Sequence, residues 1–118
     1  ANLGELDIRY LSSELPSVTF SGVAFNSSKN ELEFQVAKTG YSFYVRVYYA
    51  MVQGTPTSVD LSKKRLLSVK NVTTGGLNAI PVPQLIVDQI TSFQGSVFWG
   101  LQVMNSSGWV GAVQWFNG

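Results

Sequence analysis

The stretch Glu31-Leu32-Glu33-Phe34-Gln35-Val36 alternates strictly between polar and apolar side chains. Successive side chains of a β-strand point to opposite faces, so a strand here would bury Leu32, Phe34 and Val36 and leave the polar residues in water. An α-helix would scatter the same side chains around its circumference. The stretch therefore predicts a half-buried β-strand.

The same alternation recurs along the chain in residues 6–10, 18–23, 43–51, 97–104 and 109–116. Clusters of Asn, Ser, Gly and Lys separate these segments, as turns require. About seven or eight strands at a spacing of roughly 8–12 residues predict an all-β fold, an immunoglobulin-like antiparallel β-sandwich that fills one domain, residues 1–118. The Cys…Trp…Cys pattern of true immunoglobulin domains is absent from the sequence.

Residues 83–90 interrupt the period of two. Leu85, Ile86 and Ile90 recur at helical spacing, and Pro83 suits the first turn of a helix, where its missing N–H costs nothing. This segment predicts one short helix. An edge strand that begins after Pro83 is the alternative.

Composition excludes several function classes. The 118 residues include no cysteine and no histidine, so disulfides, thiolate chemistry and the commonest general base and metal ligand are missing. A formal net charge of +1 provides no basic field for nucleic acid, and no run of 18 apolar residues predicts a membrane span. The basic residues gather at Lys63, Lys64, Arg65 and Lys70. We expect a solvated loop there, with a contact to an anionic partner as the alternative.

Catalytic motifs are also missing, since the sequence has no G-x-S-x-G elbow, phosphate loop or zinc-ligand spacing. Glu31 and Glu33 would share one face of a strand roughly 6–7 Å apart, a distance that also suits glycoside hydrolysis by paired carboxylates. Two acids on the polar face of an alternating strand more often serve solvation. We therefore expect a protein that is not an enzyme and that uses no cofactor and no metal.

The aromatic residues of the 43–51 segment indicate binding. Tyr44, Arg46 and Tyr48 alternate with its apolar residues and would lie on the opposite side of the strand. Tyrosine and arginine carry much of the binding energy of protein interfaces. These three residues form a candidate interface. The alternative is a carbohydrate-binding module in which sugars stack on Tyr44, Tyr48 and an exposed tryptophan.

The last predicted hairpin, residues 97–116, is apolar on both faces. A strand in an open antiparallel sandwich faces water on one side, so something must cover the second face. Further candidate interface residues are Leu85, Ile86, Ile90, Trp109 and Phe116. We expect a homodimer or a bound protein partner, and a cover from within the subunit is the alternative.

The alternating residues 3–11 have two interpretations. This N-terminal strand would complete its own sheet, or it would be donated to the open edge of a neighbouring subunit, as in a filament.

Three Asn-x-Ser/Thr sequons, at Asn26, Asn71 and Asn105, fall between apolar runs, where a loop accommodates a glycan. Small eukaryotic secreted domains seldom lack cysteine, so a glycosylated chain without it suits a prokaryotic or archaeal cell surface. Because the first residue is Ala1, we expect a signal peptide or an N-terminal membrane helix before it.

This cysteine-free, charge-poor β pattern, rich in Val, Tyr, Ser, Thr and Asn and carrying sequons, resembles the soluble extracellular domains of archaellum stator proteins of the FlaF/FlaG family. The resemblance implies a β-sandwich held outside the cytoplasmic membrane by an N-terminal helix. It also implies a non-enzymatic anchoring role in an archaeal motility appendage, with S-layer protein or another envelope or appendage component as partner. The resemblance assigns a functional role to no particular residue of this sequence.

Overall fold

The computed structural model describes residue 15 and residues 18–37, 42–54 and 61–117. In these ranges the strands are β1 (Phe20–Asn26), β2 (Glu31–Val36), β3 (Phe43–Val52), β4 (Arg65–Val72), β5 (Gly76–Pro81), β6 (Ser96–Met104) and β7 (Gln114–Asn117). Helix α1 (Gln84–Ser92) connects β5 to β6. The strand predicted within residues 3–11 lies outside the described residues.

The strands form two antiparallel sheets, one in the order β1-β2-β5 and the other in the order β4-β3-β6-β7. The chain passes from the first sheet to the second after β2, returns after β4, and crosses again through α1. This is the strand order of an immunoglobulin-like sandwich in which the fourth strand joins the sheet of the third and the last two. The prediction of an all-β sandwich is confirmed.

The core lies between the two sheets, and the alternation of β2 and β3 builds both of its walls. Leu32 and Phe34 of β2 are fully buried, as are Val45 and Val47 of β3. Trp99 of β6 stacks on Phe25 of β1 across the sandwich, with 6.2 Å between the ring centres. The apolar stripes predicted for residues 31–36 and 43–49 therefore face each other.

A β-bulge changes the phase of β1. Strict alternation from Phe20 would place Gly22 on the inner face, but the pairing with β2 shifts between Ser21 and Ala24. Gly22 adopts a φ of 58°, a left-handed conformation that glycine reaches without steric cost. Because the bulge adds one residue, Val23 rather than Gly22 is buried.

The last strand is shorter than the predicted segment 109–116. β7 includes only Gln114–Asn117, and Val110 makes an isolated bridge to Met104. The regular ladder is interrupted between these pairs, so the alternation predicted from Trp109 onward is wrong. Val110 and Trp115 share a face because their cross-strand partners, Met104 and Gly100, share one.

Residues 84–92 form the predicted helix, and the alternative of an edge strand after Pro83 is wrong. Pro83 is the N-cap residue rather than part of the first turn, and its carbonyl accepts hydrogen bonds from the N–H groups of Ile86 and Val87. Val87 is the buried residue of α1, whereas Leu85 is 71% exposed. The helix closes one end of the sandwich with its Val87 side.

Candidate interaction surface

The four-stranded sheet has one side turned away from the core, here called the outer face. The strand register places on it Leu66, Val69 and Asn71 of β4, Tyr44, Arg46, Tyr48 and Ala50 of β3, Phe98, Gly100, Gln102 and Met104 of β6, and Trp115 of β7. Cross-strand partners share a face, so Tyr44, Arg46 and Tyr48 lie together there, as their alternation predicts. Most of the other side chains on this face are apolar or aromatic.

Tyr48 is the best-fixed residue of the outer face and is only 8% exposed. Its hydroxyl donates a hydrogen bond of 2.9 Å to Oε1 of Gln102, whose Nε2 donates one of 2.8 Å to the carbonyl of Gly111. The guanidinium carbon of Arg46 lies 5.6 Å from the centre of the Tyr48 ring, and Nζ of Lys64 lies 5.2 Å from it. Because two cations contact this ring, it provides no open platform on which a sugar could stack.

Trp115 and Val113 cover Gly100, the residue of β6 that has no side chain. A Cβ atom on Gly100 would lie 2.7 Å from Cγ1 of Val113 and 3.0 Å from Cζ3 of Trp115. An open groove of about 290 Å³ beside them is lined by Leu61, Ser62, Lys64, Val113 and Trp115. This half of the outer face is therefore covered largely from within the chain.

The half of the outer face formed by β4 is open. Leu66 is 48% exposed and Val69 is 46% exposed, although both belong to strand β4. Lys70 lies opposite Val45, so its side chain leaves β4 on the inner side of this edge strand. An inward-pointing charge on an edge disfavours pairing with a further strand. A partner would therefore contact the face rather than extend the sheet.

A rigid loop continues the outer face beyond Met104. Oδ1 of Asn105 accepts hydrogen bonds of 3.0 Å from the N–H groups of Ser107 and Trp109, and the N–H of Asn105 donates one of 3.0 Å to the Trp109 carbonyl. These bonds hold Trp109 50% exposed and Val110 41% exposed. Large apolar groups fixed in water by local hydrogen bonds lose little entropy when a partner binds them.

The structure does not bring the remaining predicted interface residues to the outer face. Ile86 and Ile90 of α1 pack partly against the core, while Leu85 projects alone into solvent. Phe116 lies opposite Trp99 and also packs against the core. The residues that form a continuous surface are those of β3, β4 and β6.

The three sequons have different surroundings. Asn26 ends β1, and its Nδ2 donates a hydrogen bond of 3.1 Å to Oε2 of Glu33. Asn71 is exposed on β4, on the outer face itself, and Asn105 organises the loop that carries Trp109. A glycan on Asn71 would stand next to Tyr44, its cross-strand partner.

Within the described ranges no group of three or more acidic side chains could hold a metal ion. The helices of the same ranges include none that combines the length and the apolar character of a membrane span. Among the described residues, Nε of Arg46 and Nε1 of Trp99 are buried and have no hydrogen-bond acceptor. The chain matches no family model, no curated protein and no solved structure.

Sequence reasoning missed Leu66, Lys64 and Trp115 as parts of the outer face. The pairing of β3 with β4 shifts between Val47 and Tyr48, so alternation does not assign the face of Leu66. Lys64 contacts Tyr48 from another segment of the chain, and no local sequence pattern predicts this contact. A glycine in an otherwise bulky strand, Gly100, was the available signal that another side chain lies over it.

Proposed function

We propose that this domain is a non-enzymatic, extracytoplasmic binding module that holds another macromolecule against its outer face. The observation that carries the proposal is the exposure of Leu66 and Val69 on the outer face of β4, next to the hydrogen-bonded Tyr48. Soluble domains seldom leave neighbouring apolar side chains uncovered on a sheet unless something binds there. In the cell, we propose that the domain anchors a structure at an archaeal surface by binding S-layer or appendage protein.

The chemistry of the face favours a protein as the bound molecule. It combines half-exposed aliphatic residues with tyrosine and arginine, which are the residue types that dominate protein interfaces. The carbohydrate-binding alternative loses its platform at Tyr48, because Arg46 and Lys64 occupy the ring. The half-exposed Trp109 and the partly exposed Tyr44 remain as its support.

Site-specific photo-cross-linking tests the proposal. A photo-reactive amino acid is placed at Val69 on the outer face, and a matched control carries it at Lys29, which is exposed in the turn between β1 and β2. In intact cells that produce the protein, we expect the probe at position 69 to yield a discrete cross-linked protein product and the control to yield none. Equal yields at both positions would contradict the proposal.

Tryptophan fluorescence tests the carbohydrate alternative separately. A change in emission on titration with soluble polysaccharide, abolished by Trp109→Leu, would assign sugar binding to the loop. No change, together with a cross-link at position 69, supports the protein-binding module.

A further inference from the structure

The two sheets carry charges of opposite sign. The acidic residues of the described ranges are Glu31 and Glu33 of β2 and Asp88 of α1. The basic residues on or beside β3 and β4 are Arg46, Lys63, Lys64, Arg65 and Lys70. No ion pair joins any of these charges within the part of the chain that the structure describes. Among the described strands, the acids therefore lie on the three-stranded sheet and the bases on the four-stranded sheet, while Lys29 lies in the turn between β1 and β2.

The basic side presents its charge at a fixed place. Arg46 and Lys64 both lie against the ring of Tyr48, at 5.6 and 5.2 Å from its centre, and the ring is held by Gln102. Both cations therefore lie close to one buried, hydrogen-bonded side chain of the outer face. Val69, opposite Arg46, adds exposed apolar surface beside them.

The exposed face of the three-stranded sheet carries acidic residues that could pair with Arg46 and Lys64. Glu31 and Glu33 alternate with the fully buried Leu32, so both leave the central strand on the exposed face, about 7 Å apart along it. The cross-strand partners of Glu33 are Ala24 and Ala79, and its partly exposed carboxylate accepts a hydrogen bond of 3.1 Å from Nδ2 of Asn26. This face also has an apolar residue on β5, where Leu77 is 59% exposed.

We propose that the outer face of one copy of this chain binds the exposed three-stranded face of a second copy. In this arrangement Glu31 and Glu33 pair with Arg46 and Lys64, and the exposed aliphatic residues of both faces are buried. Exposed ion pairs stabilise little by themselves, so the apolar contact supplies affinity and the charges fix orientation. The inference rests on the proposed function and names a second copy as the molecule bound.

The same charges argue against a symmetric dimer through two outer faces. Such a dimer would bring Arg46 and Lys64 of both copies together, and like charges juxtaposed in an interface are destabilising. A contact between unlike faces leaves one free face of each kind on every pair. Association then continues beyond the dimer, into a ring or an open filament.

Sedimentation velocity with charge-reversal variants tests the proposal. The chain is produced without glycosylation as wild type, Glu33→Lys and Lys64→Glu. Asp88→Lys on α1 and Lys29→Glu in the β1–β2 turn are the matched controls, because neither residue lies on a strand of either face. Wild type and controls are expected to form species larger than dimers as concentration rises to about 100 µM, and added salt is expected to weaken them. Each face variant alone is expected to lose association at least about tenfold.

Mixing supplies the decisive comparison. Equimolar Glu33→Lys and Lys64→Glu are expected to regain association, because each still offers one intact face and the reversed faces attract each other. Far-UV circular dichroism and thermal melts confirm that each variant is folded before it is scored. If a reversal abolishes folding, Glu33→Gln or Lys64→Gln replaces it, with weakened self-association as the expected result.

Three outcomes would overturn the inference. One is a monomeric wild type at every concentration, and another is undiminished self-association of Glu33→Lys. The third is stronger association of Lys64→Glu alone, which would indicate outer faces that meet each other. A monomeric wild type that still cross-links through position 69 would overturn only this inference and leave the binding module standing.

Discussion

Trp115 lies against the bare α-carbon of Gly100, its cross-strand partner, and fills the space that a side chain would occupy there. A Cβ on Gly100 would lie 3.0 Å from Cζ3 of the indole and 2.7 Å from Cγ1 of Val113. The covered half of the outer face depends on this contact. The open half, on β4, has no comparable cover among the described residues.

The substitution Gly100→Ala is expected to destabilise the domain by about 1–3 kcal/mol, because two packed side chains must move to admit one methyl group. The measurement is the free energy of unfolding in urea. Gly111→Ala is the matched control, since its Cβ would meet only an ordinary contact at 3.5 Å, and a change within about 0.5 kcal/mol is expected. Equal effects at both positions would contradict the packing argument.

Trp99 links the two sheets through its stack on Phe25 and is only 1% exposed. Trp99→Leu is expected to lower the free energy of unfolding by about 3 kcal/mol, since it removes buried surface and leaves a cavity. The unpaired Nε1–H offsets part of the loss, because its removal relieves an unsatisfied donor.

Trp109→Leu is the control for Trp99, because the same change is made on a side chain that is 50% exposed. Its expected effect on stability is within about 0.5 kcal/mol. Thermal or urea unfolding of both variants measures the difference. A loss for Trp109→Leu as large as that for Trp99→Leu would show that the loop tryptophan is part of the folded core.

Asn105 holds the Trp109 loop through a single acceptor oxygen. Asn105→Ala is expected to cost about 1–2 kcal/mol locally, because two backbone N–H groups lose their partner. Asn105→Asp keeps an acceptor in place and also removes the sequon, so it separates the structural role from glycosylation. Amide hydrogen exchange at Ser107 and Trp109 is the measurement. Faster exchange in the Asp variant than in the Ala variant would refute the role of the oxygen.

Period-two alternation predicts the sheets well wherever the ladder is regular. β2 and the first part of β3 follow the pattern residue by residue, because each has neighbours on both sides and one face on the core. The pattern fails at Gly22 of β1, where a bulge inserts a residue and reverses the facing of the residues after it. A second bulge inserts Leu67 into β4, whereas β3 keeps its alternation past Tyr48. Residues 109–116 fail for a similar reason, since their ladder is interrupted.

The candidate surface was predictable only as far as a single strand defines it. Tyr44, Arg46 and Tyr48 follow from the alternation of β3 alone. The cover supplied by Trp115 and the cation at Lys64 depend on how distant segments pack, which hydrophobic periodicity does not encode. Phe116 was predicted to belong to this surface but does not. Strand β7 begins only at Gln114, and the Phe116 ring packs against the core.

The edge position of Lys70 leads to a prediction about aggregation. Among the described strands β4 ends its sheet, and Leu66 and Val69 are exposed on it. Lys70, opposite Val45 on the inner side, protects this edge because an added strand would have to bury its charge. Lys70→Thr removes the charge and substitutes a residue that favours strands.

Lys70→Thr is therefore expected to aggregate faster than wild type at equal concentration and temperature, with little change in the free energy of unfolding. Light scattering at about 40 °C and thioflavin fluorescence follow the reaction. Lys29→Thr is the matched control, because it removes the same charge from a turn that pairs with nothing further. Since both variants change the net charge equally, faster aggregation of Lys70→Thr alone assigns the effect to the edge. Equal rates for the two variants would instead assign it to net charge, and β4 would not be the guarded edge.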